Sequence, residues 1–335
     1  MKINYCMKAT PNETEIIDRI TKLEELNFDP IIEFHLSSAK KIFYEDFSNI
    51  VKICKKNYCL KKIDYIVHYV NQDGENNYTF DFKNETVDQF KKMLDFVSAM
   101  NSDKLVMHRC YGLTNKYSTE YSKKKFFEKL HVFLNISKKY NIKLLIENYG
   151  FIWLPSEYKE KFYASPLDHF FPYEIKEFFD VFENEKKYCG VILDIAHSVL
   201  SCNMYNFFLK NKIEAQERGE FLYFNEYKKK INKNWLKVED FIFSEIDYFH
   251  FSDAYVWKED EPIDNYLYKN ENYEIGKGTI DYKSIINKII SICNEKSEKY
   301  FIMEIDPENN DYTNNISQQK SIINIQNIIN GLNNE

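Results

Sequence analysis

The sequence predicts an α/β protein, a closed (β/α)8 barrel that forms a single domain over residues 1–335. Three observations predict this fold: short apolar runs alternate with helical stretches, there are eight such runs, and the runs are apolar almost throughout. Alternating strands and helices build a parallel sheet, and continuously apolar strands indicate that both faces of the sheet are covered. Eight units favour a closed barrel over an open sheet, and a barrel needs about 250 residues.

The predicted elements follow one another in regular order. Strands are predicted at 3–7, 31–36, 64–70, 105–108, 143–147, 190–194, 247–251 and 300–305, where β-branched and aromatic residues cluster. Helices are predicted at 13–26, 47–56, 87–100, 120–140, 173–182 and 316–329, where apolar residues recur with helical spacing. Residues 8–12, after the first strand, are not a GxGxxG loop, which argues against a dinucleotide-binding sheet.

Two stretches exceed the length of ordinary barrel loops: residues 151–170 after strand five and about 203–244 after strand six. The predicted fold is therefore a barrel with long insertions after strands 5 and 6. Both insertions would project from the carboxyl-terminal face, where barrel enzymes have their active sites. Both are rich in aromatic residues, and two interpretations stay open: these residues pack the inserted segments together, or they form a lid over a substrate.

Composition and charge narrow the classes of function. Hydrophobic residues make up 44% of the chain and charged residues 29%, which is typical of a globular protein. The net charge of −7 argues against nucleic acid as a partner, because phosphate binding depends on positive charge. No apolar run reaches the roughly 18 residues of a membrane span, and residues 1–8 lack a secretory pattern. We therefore expect a cytoplasmic protein with no membrane partner and, since its seven cysteines are scattered, no disulfide framework.

Ionisable residues stand where the predicted strands end. From strand two to strand eight these residues are Glu33 with His35, His68, His108, Glu147, Asp194, His250 and Glu304. Burying such groups is costly unless they are paired or bind a metal. In a barrel they converge on one mouth, where carboxylate oxygens and imidazole nitrogens favour a divalent metal site over a metal-free acid–base cluster. This donor set suits Mn, Co, Zn, Fe or Mg and does not choose among them.

Two further features allow more than one interpretation. Because adjacent strand residues face opposite ways, we expect only one of Glu33 and His35 to point into the mouth, and Glu33 is favoured. Residues 276–279, Gly-Lys-Gly-Thr, either cradle a phosphate with their backbone N–H groups or form a simple loop into a helix capped by Asp281.

At these positions the sequence resembles the xylose isomerase-like TIM-barrel superfamily, which includes sugar isomerases and epimerases and, as a relative, the endonuclease IV type of apurinic endonuclease. The matching motifs are Ile-Val-His68, Val-Met-His108, Ile-Glu147-Asn, Leu-Asp194-Ile-Ala-His197, Phe-His250-Phe-Ser-Asp253, Ile-Gly276-Lys-Gly278-Thr-Ile-Asp281 and Met-Glu304. The resemblance spans residues 3–329 but lies only at strand ends. The order and spacing of the motifs therefore indicate the superfamily better than any one member.

The resemblance implies a metal site and a reaction. In epimerases of the tagatose and psicose type, one ion is held by residues that look like Glu147, Asp194, His250 and Glu304. The two glutamates also shuttle a proton on opposite faces of the substrate, and His197 matches a substrate-binding histidine. The implied reaction is isomerisation or epimerisation of a sugar or sugar derivative, by proton transfer α to a carbonyl through an enediolate that the metal stabilises. Barrels of this superfamily often dimerise, so the resemblance also suggests a homodimer.

The remaining candidates for contact with a carbohydrate-like small molecule surround this set. They are Glu33, His68, His108, Asn148, Trp153 and Asp253, and Trp257 is a further candidate for stacking on a sugar ring. His68 and His108 have an alternative role as ligands of a second metal ion, and Asn148 has an alternative role in fixing Glu147.

Two other classes of function are alternatives to an isomerase. A metal-dependent hydrolase or phosphodiesterase of the endonuclease IV type uses three zinc ions and needs an Asp-x-His pair shortly after strand seven. Residues 253–276 contain no histidine, which removes the usual ligands of the third ion and argues against DNA repair. A ligand-binding barrel without catalysis is the other class, and four converging ionisable groups argue against it.

Overall fold

The computed structural model describes residues 1–36, 48–61, 63–69, 85–108, 119–148, 171–211, 224–266, 270–332 and 334. The strands are β1 (Lys2–Ala9), β2 (Ile31–Leu36), β3 (Asp64–Tyr69), β4 (Lys104–His108), β5 (Lys143–Glu147), β6 (Cys189–Asp194), β7 (Tyr248–Phe251) and β8 (Glu298–Met303). Each strand pairs in parallel with the next, and β1 pairs with β8, so the sheet closes. The prediction of a closed eight-stranded barrel is therefore confirmed.

Helices surround the barrel and alternate with the strands. In the described part of the chain they are α1 (Glu13–Glu25), α2 (Ser48–Lys61), α3 (Glu85–Ala99), α4 (Thr119–Tyr140), α5 (Pro172–Val181), α6 (Ile195–Lys210), α7 (Phe224–Ile231), α8 (Tyr282–Ser291) and α9 (Ile316–Leu332). Short 3-10 helices cover Glu183–Glu185, Val238–Phe241 and Ile263–Tyr266. None of these helices is both long and apolar enough to cross a membrane.

Side-chain caps begin α1 and α8. The Asn12 carboxamide oxygen accepts hydrogen bonds from the backbone N–H groups of Thr14 and Glu15 at the start of α1. Asp281 begins α8 in the same way, because its carboxylate accepts from the backbone N–H of Ser284 at 3.1 Å. The predicted cap at Asp281 is therefore confirmed.

The inside of the barrel has an apolar layer with a polar layer above it. The apolar layer is a separate cluster formed by Cys6, Ile31, Ile66, Val106, Leu145, Ile192, Tyr248 and Ile302, one residue from each strand. Alternate residues of a strand share a face, so the residue two positions further on points the same way. Those residues are Lys8, Glu33, His68, His108, Glu147, Asp194, His250 and Glu304. The apolar layer is therefore the floor of a polar site at the carboxyl ends of the strands.

The inserted stretch after β6 is shorter than predicted, because residues 203–210 belong to α6, which begins directly after the strand. Residues 195–208 are all buried, so this helix has no solvent-facing polar side. A helix that is buried all round shows no amphipathic periodicity, and the sequence pattern therefore did not reveal it. After α6, the described part of the stretch contains α7 and the 3-10 helix Val238–Phe241.

The described aromatic residues of this stretch pack against one another and against the barrel. Tyr205, Phe207 and Phe208 are buried. The ring of Trp257 stacks on Trp235 with the centroids 6.3 Å apart and meets Phe207 edge-on at 5.5 Å. These contacts support the packing interpretation for 203–244, and they involve Trp257 in packing. The predicted insertion 151–170, with Trp153, lies outside the described residues.

Candidate metal centre

The carboxyl ends of β5 to β8 bring four predicted metal ligands together. These residues, here called the quartet, are Glu147, Asp194, His250 and Glu304, and each offers one ligand atom within 4.8 Å of the others. His250 Nδ1 lies 3.0 Å from Glu147 Oε1, 2.9 Å from Glu304 Oε2 and 3.9 Å from Asp194 Oδ2. One imidazole nitrogen and three carboxylate oxygens thus face a common point, which is a donor set suited to a divalent metal ion.

Burial and hydrogen bonding show that the quartet fits a cation. Glu147 and His250 have no solvent exposure, and Asp194 is also buried. Glu304 Oε2 is buried, and among the described residues no group donates a hydrogen bond to it with acceptable geometry. An unsatisfied buried carboxylate oxygen beside two further carboxylates is costly, and a bound cation would remove that cost.

The pKa values of the quartet reflect the crowding of negative charge. Burial raises the pKa of Asp194 to about 7, with Glu304 and Glu147 adding to the rise and His197 opposing it. Burial also opposes ionisation of Glu147, but the positive charges of neighbouring histidines outweigh it and hold the pKa of that carboxyl well below its usual range. Carboxylates this close together therefore depend on positive charge supplied at the site.

The backbone at the start of α6 fixes Asp194. Asp194 Oδ1 accepts a hydrogen bond from the backbone N–H of His197 at 2.6 Å, as a helix N-cap does. Asn148 pairs with the Asp194 backbone, accepting from its N–H at 2.6 Å and donating to its carbonyl at 3.0 Å. Asn148 is buried, and these contacts show it holding the neighbouring strand end rather than Glu147. Its predicted contact with substrate stays a prediction.

His197 lies beside the quartet and makes contacts at both ring nitrogens. Nδ1 is 2.8 Å from the carbonyl oxygen of Asn148, and Nε2 is 3.2 Å from Glu271 Oε2. Burial opposes a charge on the ring, but Asp194 and Glu271 outweigh it and hold the pKa of His197 well above its usual value. The substrate contact of His197 stays a prediction. Glu271 was not predicted from the sequence, because it follows no strand and belongs to no motif.

Glu33 and His35 both point into the site, so the expectation that only one of them does is wrong. His35 Nε2 is 2.8 Å from Glu33 Oε1 and 3.6 Å from Glu304 Oε1. Residues 33 and 35 are two positions apart on β2, and alternate strand residues share a face. The predicted inward orientation of Glu33 is confirmed, and its substrate contact stays a prediction.

His68 and His108 both contact the second oxygen of Glu147. Each Nε2 lies 2.8 Å from Glu147 Oε2, while Glu147 Oε1 faces His250. These three side chains also have ligand atoms close enough together to hold a metal ion. Both roles predicted for the two histidines, contact with substrate and ligation of a second ion, stay open.

Lys8 is a site residue that the sequence analysis missed. Its Nζ lies 3.3 Å from Glu304 Oε1 and 3.6 Å from Asp306 Oδ1. The first strand was predicted to end at residue 7, whereas β1 continues to residue 9. Residues 6 and 8 both point into the barrel, and residue 8 is the polar residue that ends this inward row, as on the other strands. That alternation is the sequence signal that indicates Lys8 as a site residue.

Asp253 holds the loop that precedes α8. Its Oδ1 accepts from the backbone N–H groups of Ala254 at 2.9 Å and Ile280 at 3.3 Å, and its Oδ2 accepts from Gly276 at 2.8 Å. The N–H of Gly278 also donates to this carboxylate. The backbone amides of residues 276 and 278 thus bind an internal carboxylate, which supports the simple-loop interpretation over a phosphate cradle. The substrate contact of Asp253 stays a prediction.

Substituting Gly278 is expected to destabilise the fold, because a Cβ there would overlap the Ala254 carbonyl oxygen and Asp253 Oδ1. Gly278→Ala should lower the free energy of unfolding by roughly 1–3 kcal/mol, as overpacking does. Gly331→Ala is the matched control, since no described atom lies within 4 Å of its Cβ. Urea unfolding measures both variants, and equal stability would contradict the loop geometry.

The fold and the site define a (β/α)8 barrel with a candidate divalent-metal centre at its carboxyl-terminal mouth. Residues 24–320 match the family model described as xylose isomerase-like TIM barrel, and the chain belongs to that family. No curated protein matches the chain significantly.

Solved structures with the same fold include sugar epimerases and a probable dehydratase. A D-tagatose 3-epimerase-like protein has a TM-score of 0.58 and 15% identity, over 100% of this chain and 99% of that one. A D-allulose 3-epimerase from Methylomonas sp., in complex with D-allulose, has a TM-score of 0.56 and 11% identity, over 97% of each chain. The IOLI protein with a binding zinc atom has a TM-score of 0.55 and 14% identity, over 98% of this chain and 96% of that one.

Proposed function

We propose that the protein is a divalent-metal-dependent isomerase or epimerase that acts on a sugar or sugar derivative, by proton transfer α to a carbonyl through an enediolate. One observation carries this proposal. Carboxylates from β5 and from the end of β8, Glu147 and Glu304, flank the same His250 nitrogen at 3.0 and 2.9 Å. Two carboxylates beside one metal position are what proton removal and return at a single carbon require.

The proposed roles of the two glutamates follow from their charges. Burial opposes ionisation of Glu304, but His35, Lys8 and His250 outweigh it, so its pKa, like that of Glu147, is held well below its usual range. Both groups are therefore ionised near neutral pH, and either can accept the substrate proton. The other must first take up a proton, from a substrate hydroxyl or from water, before it delivers one to the opposite face. A divalent ion in the quartet would polarise the substrate carbonyl and acidify the neighbouring C–H bond.

The comparisons support the chemical class of the ligand. A neighbour of the same fold binds D-allulose, another binds zinc, and the donor set of the quartet accepts Mn, Co, Zn, Fe or Mg. We propose a carbohydrate-like small molecule as the substrate and one divalent ion as the cofactor. A single domain, a homodimer and a cytoplasmic location belong to the same proposal.

The test of the proposed function is exchange of a substrate C–H proton with solvent. The protein is incubated in deuterated water with Mn²⁺, Co²⁺, Zn²⁺ or Mg²⁺ and a panel of ketoses and aldoses, and mass spectrometry follows deuterium incorporation at carbon. Metal-dependent incorporation next to the carbonyl, with formation of an isomer, is the expected result. Release of phosphate or of a cleaved fragment, without exchange, would contradict an isomerase.

A metal-dependent hydrolase or phosphodiesterase is the second candidate, and the position of His68 and His108 favours it. Both histidines lie 2.8 Å from the Glu147 oxygen that does not face His250, so His68, His108 and Glu147 could hold a second ion. Two-metal sites are common in enzymes that cleave phosphate esters. Two zinc ions per chain, together with hydrolysis of a model phosphodiester, would establish this alternative.

A further inference from the structure

Glu33 lies outside the quartet but contacts one of its members. Its carboxylate has no solvent exposure, and its Oε2 lies 3.0 Å from His250 Nε2. The other nitrogen of that ring, Nδ1, is the one that faces Glu147 and Glu304. Carboxylates face both ring nitrogens, and each can accept a hydrogen bond from an N–H group. A metal ion would take the place of hydrogen on Nδ1, and Glu33 would then keep the remaining hydrogen on Nε2.

We propose that Glu33 is a positioning residue, which orients the His250 ring and keeps Nδ1 available to the metal ion. Partners of this kind fix the tautomer of a ligating histidine and raise its basicity. The inference rests on the metal centre of the proposed function and not on the identity of the substrate. It assigns Glu33 a role different from the substrate contact predicted from the sequence.

The second oxygen of Glu33 extends this support to a second member of the quartet. Glu33 Oε1 is 2.8 Å from His35 Nε2, and the same nitrogen is 3.6 Å from Glu304 Oε1. Lys8 Nζ lies 3.3 Å from that Glu304 oxygen. His35 and Lys8 contact Glu304 only at Oε1. The other oxygen of Glu304, Oε2, is directed toward His250 Nδ1. Strands β1 and β2 supply no member of the quartet, yet they hold two of its members in place.

The backbone that carries Lys8 is itself fixed by long-range contacts. Gln318 on α9 accepts from the Lys8 N–H at 2.8 Å and donates to the Lys8 carbonyl at 3.0 Å. Arg19 Nε, on α1, donates to the same carbonyl at 3.0 Å. Hydrogen bonds from α1 and α9 therefore fix the backbone of β1 at Lys8. Residues that position a metal site need such fixed surroundings.

A fully buried carboxylate beside three others needs a physical reason, since burying charge is costly. Glu33 is compensated by accepting from two imidazoles, one at each oxygen. A glutamine has the same volume but only one acceptor oxygen, and its amide nitrogen can only donate. Glu33→Gln therefore removes the acceptor from either His250 or His35 while keeping the shape of the site.

The experiment compares metal affinity in the full-length chain, with Mn²⁺ and Zn²⁺ as probes in competition with a chelating dye. Glu33→Gln is expected to weaken binding by about 10- to 100-fold, which is the usual effect of losing such a partner. Glu174→Gln is the matched control, because Glu174 is a buried glutamate that accepts from the Phe171 N–H at the start of α5, away from the site. The absorption spectrum of the Co²⁺-loaded protein should change in Glu33→Gln alone, and thermal unfolding without metal checks that both variants fold.

The outcomes separate this role from the proposed function. A wild-type chain that binds metal tightly, with unchanged affinity in Glu33→Gln, overturns the positioning role alone. Loss of one ion of two, with the other bound as before, also overturns it and makes Glu33 a ligand, since Glu33, His68, His250 and Glu304 can themselves hold an ion. A wild-type chain that takes up no divalent ion overturns both proposals.

Discussion

Elemental analysis of the purified chain is expected to find about one tightly held divalent ion per chain, and none in the His250→Ala/Glu304→Gln variant. The double substitution removes the Nδ1 that faces three carboxylates and the charge of one of them. Of the quartet, Glu147 and Asp194 remain, without the imidazole nitrogen that lies near both of them. We expect no ion to survive gel filtration, as measured by inductively coupled plasma mass spectrometry.

A surface variant with the same two types of substitution, His to Ala and Glu to Gln, is the control for this measurement. His131→Ala/Glu177→Gln changes an exposed histidine on α4 and a glutamate on α5 that pairs with Lys123, both on the outer helices. It should keep the ion content of the wild type. Two or more zinc ions per wild-type chain would favour the hydrolase and involve His68 and His108. A wild-type chain that holds no ion and takes up none of the added metals would refute the metal-dependent function.

The second large effect is expected in catalysis. At saturating metal, Glu147→Gln and Glu304→Gln should each slow solvent deuterium exchange by roughly 10²- to 10⁴-fold, the usual contribution of a positioned acid or base. A glutamine can neither accept nor return the substrate proton near neutral pH. Glu147→Gln should also weaken metal binding more than Glu304→Gln, because Glu147 additionally contacts His68 and His108 through Oε2.

Exchange and metal content are measured on the same samples, so that loss of the ion is distinguished from loss of the base. Glu15→Gln is the control, because Glu15 is a buried glutamate on α1 whose carboxylate binds Thr10 rather than the site. It should exchange at the wild-type rate. A metal-loaded Glu147→Gln protein that exchanges as fast as the wild type would show that this carboxylate does not move the proton.

Most of the barrel, and the position of the quartet at strand ends, could be predicted from local pattern. A parallel barrel buries both faces of every strand, so its strands are apolar runs that end where polar residues begin. That change of composition placed Glu147, Asp194, His250 and Glu304 at strand ends, and parallel strands bring their carboxyl ends to one side of the sheet. The cap at Asp281 was predictable for a similar reason, since its partner Ser284 is three residues away.

Elements without a local pattern were not predictable. Helix α6 is buried on all sides, so it lacks the periodicity that indicates a helix. Glu271 reaches His197 from a segment of no regular structure, 74 residues further along the chain, and no spacing rule connects them. Such contacts depend on how loops fold over the barrel mouth, which the composition of the loop does not specify.

The sequence by itself determined that this protein is a barrel with ionisable residues converging at one mouth. Short apolar runs indicate strands buried on both faces, and their alternation with helices indicates that the strands are parallel. The tertiary structure alone decided which atom each residue presents to its neighbours. Glu33 faces His250 Nε2 across 217 positions of sequence, and Lys8 faces Glu304 across 296. Closure of β1 against β8 creates the contact between Lys8 and Glu304, and the curvature of the closed barrel brings Glu33 of β2 to His250 of β7. The proposed division between residues that bind the metal and residues that hold them in place therefore depends on the closed barrel.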